Sequence, residues 1–442
     1  MSKDKKITRR EFIEKGAFGT AGMAFASTFG MPTILANSAP SDAIGIGVIG
    51  IGFQGSQLLK RAMDVPGTEI RAVCDTYTAN LESALNTVKD KNPDVKGYKD
   101  YQKLLENKDI DAVIIATPDH WHMKMTCDAA DAGKDIYVEK NMTRTVAEAK
   151  EIVKAVKRNK IVLQLGHSAR SSASNWRARE IYKSGLLGDV SLVKISRFRN
   201  TAWGAWVWDI PSDASPQTVD WERFLGSAPK RPFDSDRFFR WRKYWDYGTG
   251  VAGDLLSHEF DGVNFIMELG IPKTCVATGG IYYWKDGREV PDVLNVIYDY
   301  PDKGLAISWN STFSNSRYGN ESKKQIFGQN ATLESEQEGM NVFLEPYGER
   351  NLGIIEKLRE QRTKKGEEIK KGEAIPVYTY SREEGLYFTS HMQNFIDCIR
   401  TREKPRCNID VGFEVAVTAI MSAIAYRQKK MVTWNPVRQE VI

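Results

Sequence analysis

From residue 43 onward the chain alternates short apolar runs with longer stretches that are apolar on one side only. Residues 44–49 form an apolar run of strand length, and the segment behind them puts Leu58, Leu59 and Met63 on one helical face. Residues 69–73 read as a second strand and 100–107 as a helix. A buried strand at 111–116, a helix up to Gly133 and another strand at 135–138 follow. An amphipathic helix at 146–158 and a last strand at 161–165 complete this half. Strands alternating with helices at this spacing predict a parallel sheet, whose ligands sit beyond the carboxyl ends of the strands. From residue 188 the pattern changes to β-rich runs at 188–197, 275–284, 293–300, 305–313 and 324–334. Turn signals separate several of them, notably Lys285-Asp286-Gly287 and Asp302-Lys303-Gly304. They predict an open, mostly antiparallel sheet. The charged stretch 349–373 reads as a surface excursion, and helices at 388–401 and 411–428 close the chain. The fold class is α/β, with a dinucleotide-binding domain at 43–167 and an α+β substrate and oligomerisation domain at 168–442.

Composition narrows the function. A chain of 442 residues with 41% hydrophobic and 27% charged residues is an ordinary soluble globular protein with more than one core. Of the net charge of +5, the first 38 residues supply +3, so the remainder has no basic surface of the kind that binds nucleic acid. The five cysteines form no CxxC pair and read as small buried apolar residues. His120-Trp121-His122 is the one close pair of histidines, and its alternate spacing suits opposite faces of a strand rather than a shared metal, so no metal is expected. Residues 1–38 hold Thr8-Arg9-Arg10-Glu11-Phe12-Ile13 and then a Gly/Ala-rich run, a pattern that resembles a twin-arginine export signal. It implies the twin-arginine machinery as a partner and a periplasmic or otherwise exported protein. If that signal does not function, the protein stays cytoplasmic.

The first strand runs into Gly50-Ile51-Gly52-Phe53-Gln54-Gly55, and Asp75 ends the second strand 20 residues later. Gly50 permits the tight turn, Gly52 lets backbone approach a pyrophosphate, and Gly55 lets helix and strand pack closely. Phe53 and Gln54 open the helix, whose amino terminus offers free N–H groups to phosphate. Asp75 can accept from a ribose 2′-hydroxyl and would repel a 2′-phosphate, which favours NAD over NADP. Thr117, Pro118 and His122 follow the predicted strand at 111–116, Glu139 and Lys140 that at 135–138, and His167 that at 161–165, so one crevice should gather them.

The combination GxGxxG, CD, TPDHWH, VEK and GDLLSH resembles the glucose–fructose oxidoreductase/inositol dehydrogenase (Gfo/Idh/MocA) family over residues 44–436. The resemblance implies a catalytic Lys140 that reaches substrate and nicotinamide. It also implies an Asp-x-x-x-His pair, Asp254 and His258, on a helix of the second domain. Where the family carries Glu-Lys-Pro, this chain has Glu139-Lys140-Asn141. Relatives commonly use the open sheet face as a homodimer or homotetramer contact.

Oxidising a carbinol needs the carbon close to the nicotinamide, a group to take the hydroxyl proton, and stabilisation of the oxygen left behind. His258 is the expected acceptor, Lys140 the stabiliser, and Asp254 the holder of His258 or of a second hydroxyl. Trp203, Trp206, Trp208, Trp241, Tyr244, Trp245 and Tyr247 crowd one region, which suits the C–H faces of a sugar ring. Arg170, Arg240 and Arg242 are candidates for its hydroxyls. The expected function is hydride transfer from a sugar or polyol hydroxyl to a tightly bound NAD(P). The alternative is a redox-neutral glycosidase or lyase working through a transient keto-sugar, with Tyr244, Tyr247 or His167 as the extra base.

Overall fold

The structure is a computed structural model that describes residues 43–316, 322–335, 339–346, 348–368, 373–381 and 389–442. The signal expected at 1–38 lies outside the described residues.

Strands β1 (Ile44–Ile49), β2 (Thr68–Cys74), β3 (Lys96–Tyr98), β4 (Ala112–Ile115), β5 (Asp135–Val138) and β6 (Leu163–Leu165) form one sheet in the order β3-β2-β1-β4-β5-β6. Every pairing in it is parallel. Strands β1, β4, β5 and β6 are buried along their whole length, which is why they read as unbroken apolar runs. Helices α1 (Phe53–Met63), α2 (Thr78–Lys89), α3 (Tyr101–Leu105), α4 (Asp119–Asp131) and α5 (Val146–Asn159) connect them. The chain moves outward from β1 to β3, then returns to β4 on the other side of β1. The crevice beyond β1 and β4 is therefore the switch point of the sheet. His120-Trp121-His122 does not form a strand. It starts α4, because Pro118 at the cap and Asp119 in the first turn are helix-start signals that outweigh a three-residue alternation. Helix α2 and strand β3 were not foreseen from the sequence.

Helix α6 (Ala173–Lys183) leads to β7 (Val190–Phe198) and a second sheet. Its other strands are β8 (Thr274–Gly280), β9 (Val293–Tyr300), β10 (Leu305–Thr312), β11 (Ser322–Gly328), β12 (Ala331–Ser335), β13 (Gly339–Leu344), β14 (Pro376–Ser381), β15 (Val432–Asn435) and β16 (Glu440–Val441). They stand in the order β14-β13-β12-β11-β7-β10-β9-β8-β15-β16. Only the central pair β7 and β10 is parallel; the rest are antiparallel. The single strand expected at 324–334 is a hairpin of β11 and β12, broken at Gln329-Asn330. The charged stretch after residue 348 is not a mere excursion. It carries helix α8 (Gly348–Lys364), preceded in the chain by helix α7 (Ser257–Met267), and its Ile354, Ile355 and Leu358 pack on the core. Spacing of three and four placed these three on one face, hidden among charges.

Helices α9 (His391–Thr401) and α10 (Ile409–Gln428) return to the first domain. Met392, Phe395 and Ile396 of α9 join the core around β1. Helix α10 serves both cores, with Ala416 in one and Val415, Val417 and Met421 in the other. Its Gly412 lies so close to the first sheet that a Cβ would stand 2.5 Å from Leu165.

Candidate active site

A crevice of about 1310 Å³ lies between the two sheets. At one end the three glycines do different work. Gly50 has φ +85°, and a Cβ there would stand 2.9 Å from the Ala116 backbone. A Cβ on Gly55 would stand 1.8 Å from the Gly50 carbonyl oxygen. A Cβ on Gly52 would meet no protein atom within 4 Å, and Gly52 lines the crevice. The protein's own packing explains two glycines; the third leaves a bare wall. Helix α1 opens there without a side-chain cap, presenting the positive end of its dipole. Asp75 Oδ2 accepts from the Ile51 N–H at 2.6 Å and Oδ1 from the Tyr77 N–H at 2.8 Å. Burial raises the Asp75 pKa, while these N–H bonds favour the carboxylate. This end fits a dinucleotide, with Gly52 and α1 against the pyrophosphate and Asp75 against a ribose.

The middle of the crevice is a seam between the domains. Glu139 Oε1 accepts from Gln54 at 2.8 Å and Oε2 from the Lys140 N–H at 3.1 Å. Gly166 makes room for it, since a Cβ would stand 2.7 Å from Oε1. Lys140 Nζ donates to Asp254 Oδ1 at 2.7 Å and to its carbonyl at 2.8 Å. The Lys140–Asn141 peptide is cis. Asn141 is buried, and its Nδ2 donates to the Thr143 carbonyl at 2.8 Å and to Thr249 Oγ1 at 3.2 Å, across the seam.

At the far end Asp254 occupies a π-helical turn, Ala252–Leu256, that runs directly into α7 with His258. The wider turn keeps residues four apart on nearly one face, and both line the crevice. Asp254 also accepts from Arg242 Nε at 2.9 Å and Trp206 Nε1 at 3.1 Å. Burial alone would raise its pKa, but the charges of Lys140, Arg242 and Arg199 hold it well below the usual carboxylate range. Burial, with the Lys140 charge beside it, pushes the His258 pKa well below 6.5, so the imidazole is neutral at neutral pH.

The excursion between β7 and the π turn roofs the crevice. The Asp220 N–H donates to the Thr76 carbonyl at 2.8 Å, and the Thr78 N–H to the Thr218 carbonyl at 2.9 Å. Trp121 Nε1 donates to the Phe224 carbonyl at 2.8 Å, and the Phe53 and Trp203 rings meet edge-on at 5.5 Å.

Residues 44–167 match the oxidoreductase family NAD-binding Rossmann fold, and residues 223–434 match the same family's C-terminal alpha/beta domain. The chain belongs to the Gfo/Idh/MocA oxidoreductase family. Among curated members, it is 28% identical over 203 residues to a glycosyl hydrolase family 109 protein of Shewanella baltica (strain OS195). That match covers 42% of this chain and 44% of the relative. It is 27% identical, over the same shares, to an alpha-N-acetylgalactosaminidase of Shewanella oneidensis. The chain thus spans less than half the length of the curated relatives it matches. Its fold is similar to that of levoglucosan dehydrogenase in complex with NADH and levoglucosan, with TM-score 0.65 and 18% identity over 88% of this chain and 99% of that one. An aldose-aldose oxidoreductase from Caulobacter crescentus complexed with glycerol gives TM-score 0.63 and 18% identity, also over 88% and 99%. The first domain is the NAD-binding Rossmann domain of this oxidoreductase family, with the glycine and Asp75 geometry described above.

Of the expected site residues in this Gfo/Idh/MocA chain, Gly50, Gly52, Phe53, Gln54, Asp75, Thr117, Pro118, Glu139, Lys140, Trp203, Trp206, Trp241, Asp254 and His258 line the crevice. Gly55 lies behind it, where packing needs it. Others do not reach it. His122 is fully buried, its ring nitrogens 2.7 Å from the Asn141 carbonyl and 2.9 Å from that of Thr117, so it braces the ends of β4 and β5. His167 is buried against the His258 ring, centroids 5.7 Å apart. Arg170 is held by Asp261 at 2.7 Å, and Arg240 by Asp236 at 2.8 Å. The Tyr244 hydroxyl bonds to Asp236, and Tyr247 is buried with Phe224 and Leu225 in a small core of the excursion's own. The aromatic crowd thus splits between crevice and core. Sequence reasoning missed Arg197, Arg199, Glu259 and Lys324, which line the far end. Two arginines in alternation at a strand's end, Arg197 and Arg199, were a readable signal; Lys324 had none.

Proposed function

We propose that the protein oxidises a hydroxyl of a sugar or polyol, using NAD that stays on the enzyme. The observation that carries this reading is the Lys140–Asp254 contact at 2.7 Å, which joins the cofactor end to the π turn that leads to His258. Bound NAD supplies the two-electron acceptor; the residues supply position and charge. Lys140, 9% exposed at its side chain and paired with Asp254, orients the hydroxyl and stabilises the oxygen as its proton leaves. Neutral His258 accepts that proton. Trp206 and Arg242 fix the Asp254 carboxylate, and Trp203 and Trp241 offer faces to a sugar ring.

Export in the folded state through the twin-arginine route is part of the proposal, as is homodimer or homotetramer assembly on the open sheet face. That face exposes Val276 and Ile297, which are partners across β8 and β9. The roof from 199 to 250 supports a retained cofactor, since it bonds to the first domain at Thr76, Thr78 and Trp121 beside the crevice.

The curated relatives' names favour a second reading, cleavage of a glycoside through a transient ketone. It needs a further base for a carbon-bound proton, and Tyr244, Tyr247 and His167 all lie off the crevice. The oxidoreductase reading therefore stands first. To separate them, the protein is purified without added cofactor, its absorbance recorded, and free sugars and glycosides added. One equivalent of reduced nicotinamide per chain is the expected result. Repeated release of the aglycone without net reduction would move the assignment to the glycosidase, and failure to bind NAD would end both readings.

A further inference from the structure

We propose that the substrate carries an oxyanion substituent, a carboxylate or a sulfate ester, held by Arg199 at the far end of the crevice. This rests on the proposed function only in taking the substrate to be a sugar; the charge argument is independent of it. Five cations line the space around Asp254 and His258: Lys140, Arg197, Arg199, Arg242 and Lys324. Asp254 and Glu259 stand among these cations, and each is already shared. Asp254 takes Lys140 at 2.7 Å and Arg242 at 2.9 Å. Glu259 takes Arg197 and Lys324, each at 3.2 Å. Arg199 has no ion-pair partner among the described residues. Its Nη1 donates to the Gly204 carbonyl at 3.0 Å, which fixes one arm of the guanidinium and neutralises nothing.

The neighbouring acids do not close the gap. Burial raises the pKa of Asp119, to about 7, and that of Glu139. Neither of them, nor Asp209, an exposed acid that also lines the crevice, makes an ion pair with Arg199. Burial also lowers the Arg199 pKa, as expected of a desolvated guanidinium that lacks a full counter-charge. A half-buried cation without an ion-pair partner is costly, and the planar fork of arginine suits a carboxylate or sulfate oxygen pair. Elsewhere the crevice is lined by Ser172, Ser174, Asn175 and Ser335, polar side chains that can bond sugar hydroxyls.

The test is equilibrium binding to the NAD-loaded enzyme, followed by quenching of tryptophan fluorescence and by calorimetry. The ligands are matched sets of a hexose, its uronate and its sulfate ester. At least one uronate or sulfate should bind about tenfold or more tightly than its neutral counterpart, and whichever does identifies the oxyanion. Arg199→Gln should abolish that ratio, and Arg199→Lys should retain part of it. The proposal is overturned if neutral members bind as tightly as charged ones throughout, or if Arg199→Gln weakens both alike. The wild-type panel decides even if a variant does not fold. Arg199-dependent binding without any change at the nicotinamide would uphold this site and count against the proposed reaction instead.

Discussion

The two ends of the crevice recognise by different means. At the first, backbone does the work: Gly52 leaves a bare wall, α1 offers N–H groups, and one carboxylate, Asp75, is pinned by two backbone N–H bonds. At the second, long charged side chains from β7, β11, the π turn and the roof hold one another in shared ion pairs. A backbone site suits a ligand of constant shape. A side-chain site can be retuned by single substitutions without touching the fold, so the variable partner of the reaction belongs there. Lys140 stands on the boundary, attached to the first sheet and bonded to the second domain.

Its removal should have the largest effect. Lys140→Ala is expected to lower kcat by about a thousandfold, with bound NAD per chain kept, because Arg242 still compensates Asp254. Loss of NAD in proportion to loss of turnover would mean that the two ends are not separable. His258→Gln comes next, at about a hundredfold in kcat/KM. Since His258 works neutral and its pKa is depressed, the wild-type acid limb should lie well below pH 6.5. The sign for stability is the same. The unfolded chain takes up this proton near pH 6.5 and the folded one only lower. The contribution is therefore present above 6.5 and lost as pH falls below it. His258→Gln should lose less stability than wild type between pH 7.5 and 5.5; an identical loss in urea titrations would contradict the assignment.

The backbone end is probed by its glycines. Gly52→Ala should weaken NAD binding about tenfold or more while leaving the thermal midpoint of the cofactor-free protein nearly unchanged, because the new Cβ meets only the crevice. Gly55→Ala should instead lower that midpoint by several degrees, because its Cβ would collide with the Gly50 carbonyl. Equal behaviour of the two variants would erase the distinction between wall and packing.

The same contrast explains what was legible in the sequence. The cofactor end lies within a span from Gly50 to Asp75, so its spacing is local and each residue type has one physical reason to be there. At the far end, Lys324 meets Glu259 only because β11 lies beside β7, a pairing no local pattern announces. Composition misled in the roof, where Trp206 bonds to Asp254 while Tyr247 fills a core, though both belong to one aromatic crowd. Spacing of four between Asp254 and His258 fits an α turn or a π turn equally, so the shared face was readable and the π turn was not. His122 was drawn into the site by proximity in sequence, yet two backbone carbonyls claim its ring.

Asn141 is the mildest test of the seam. Its side chain joins the Thr143 carbonyl to the Thr249 hydroxyl, so the strand end that carries Lys140 is tied to the segment just before Asp254. Asn141→Ala removes both bonds and leaves the buried Thr143 carbonyl without that donor. The expected cost is about 1–2 kcal/mol of stability, read as a lower denaturation midpoint at unchanged m-value. Turnover should fall by less than about tenfold, since Lys140 keeps its own bonds to Asp254. Thr249→Val, which deletes only the cross-domain partner, should show part of the same loss, and the double variant little more than Asn141→Ala alone. Fully additive losses would mean that the bond across the seam contributes nothing. The two ends of the crevice would then be held together by Lys140 and the cores beneath it.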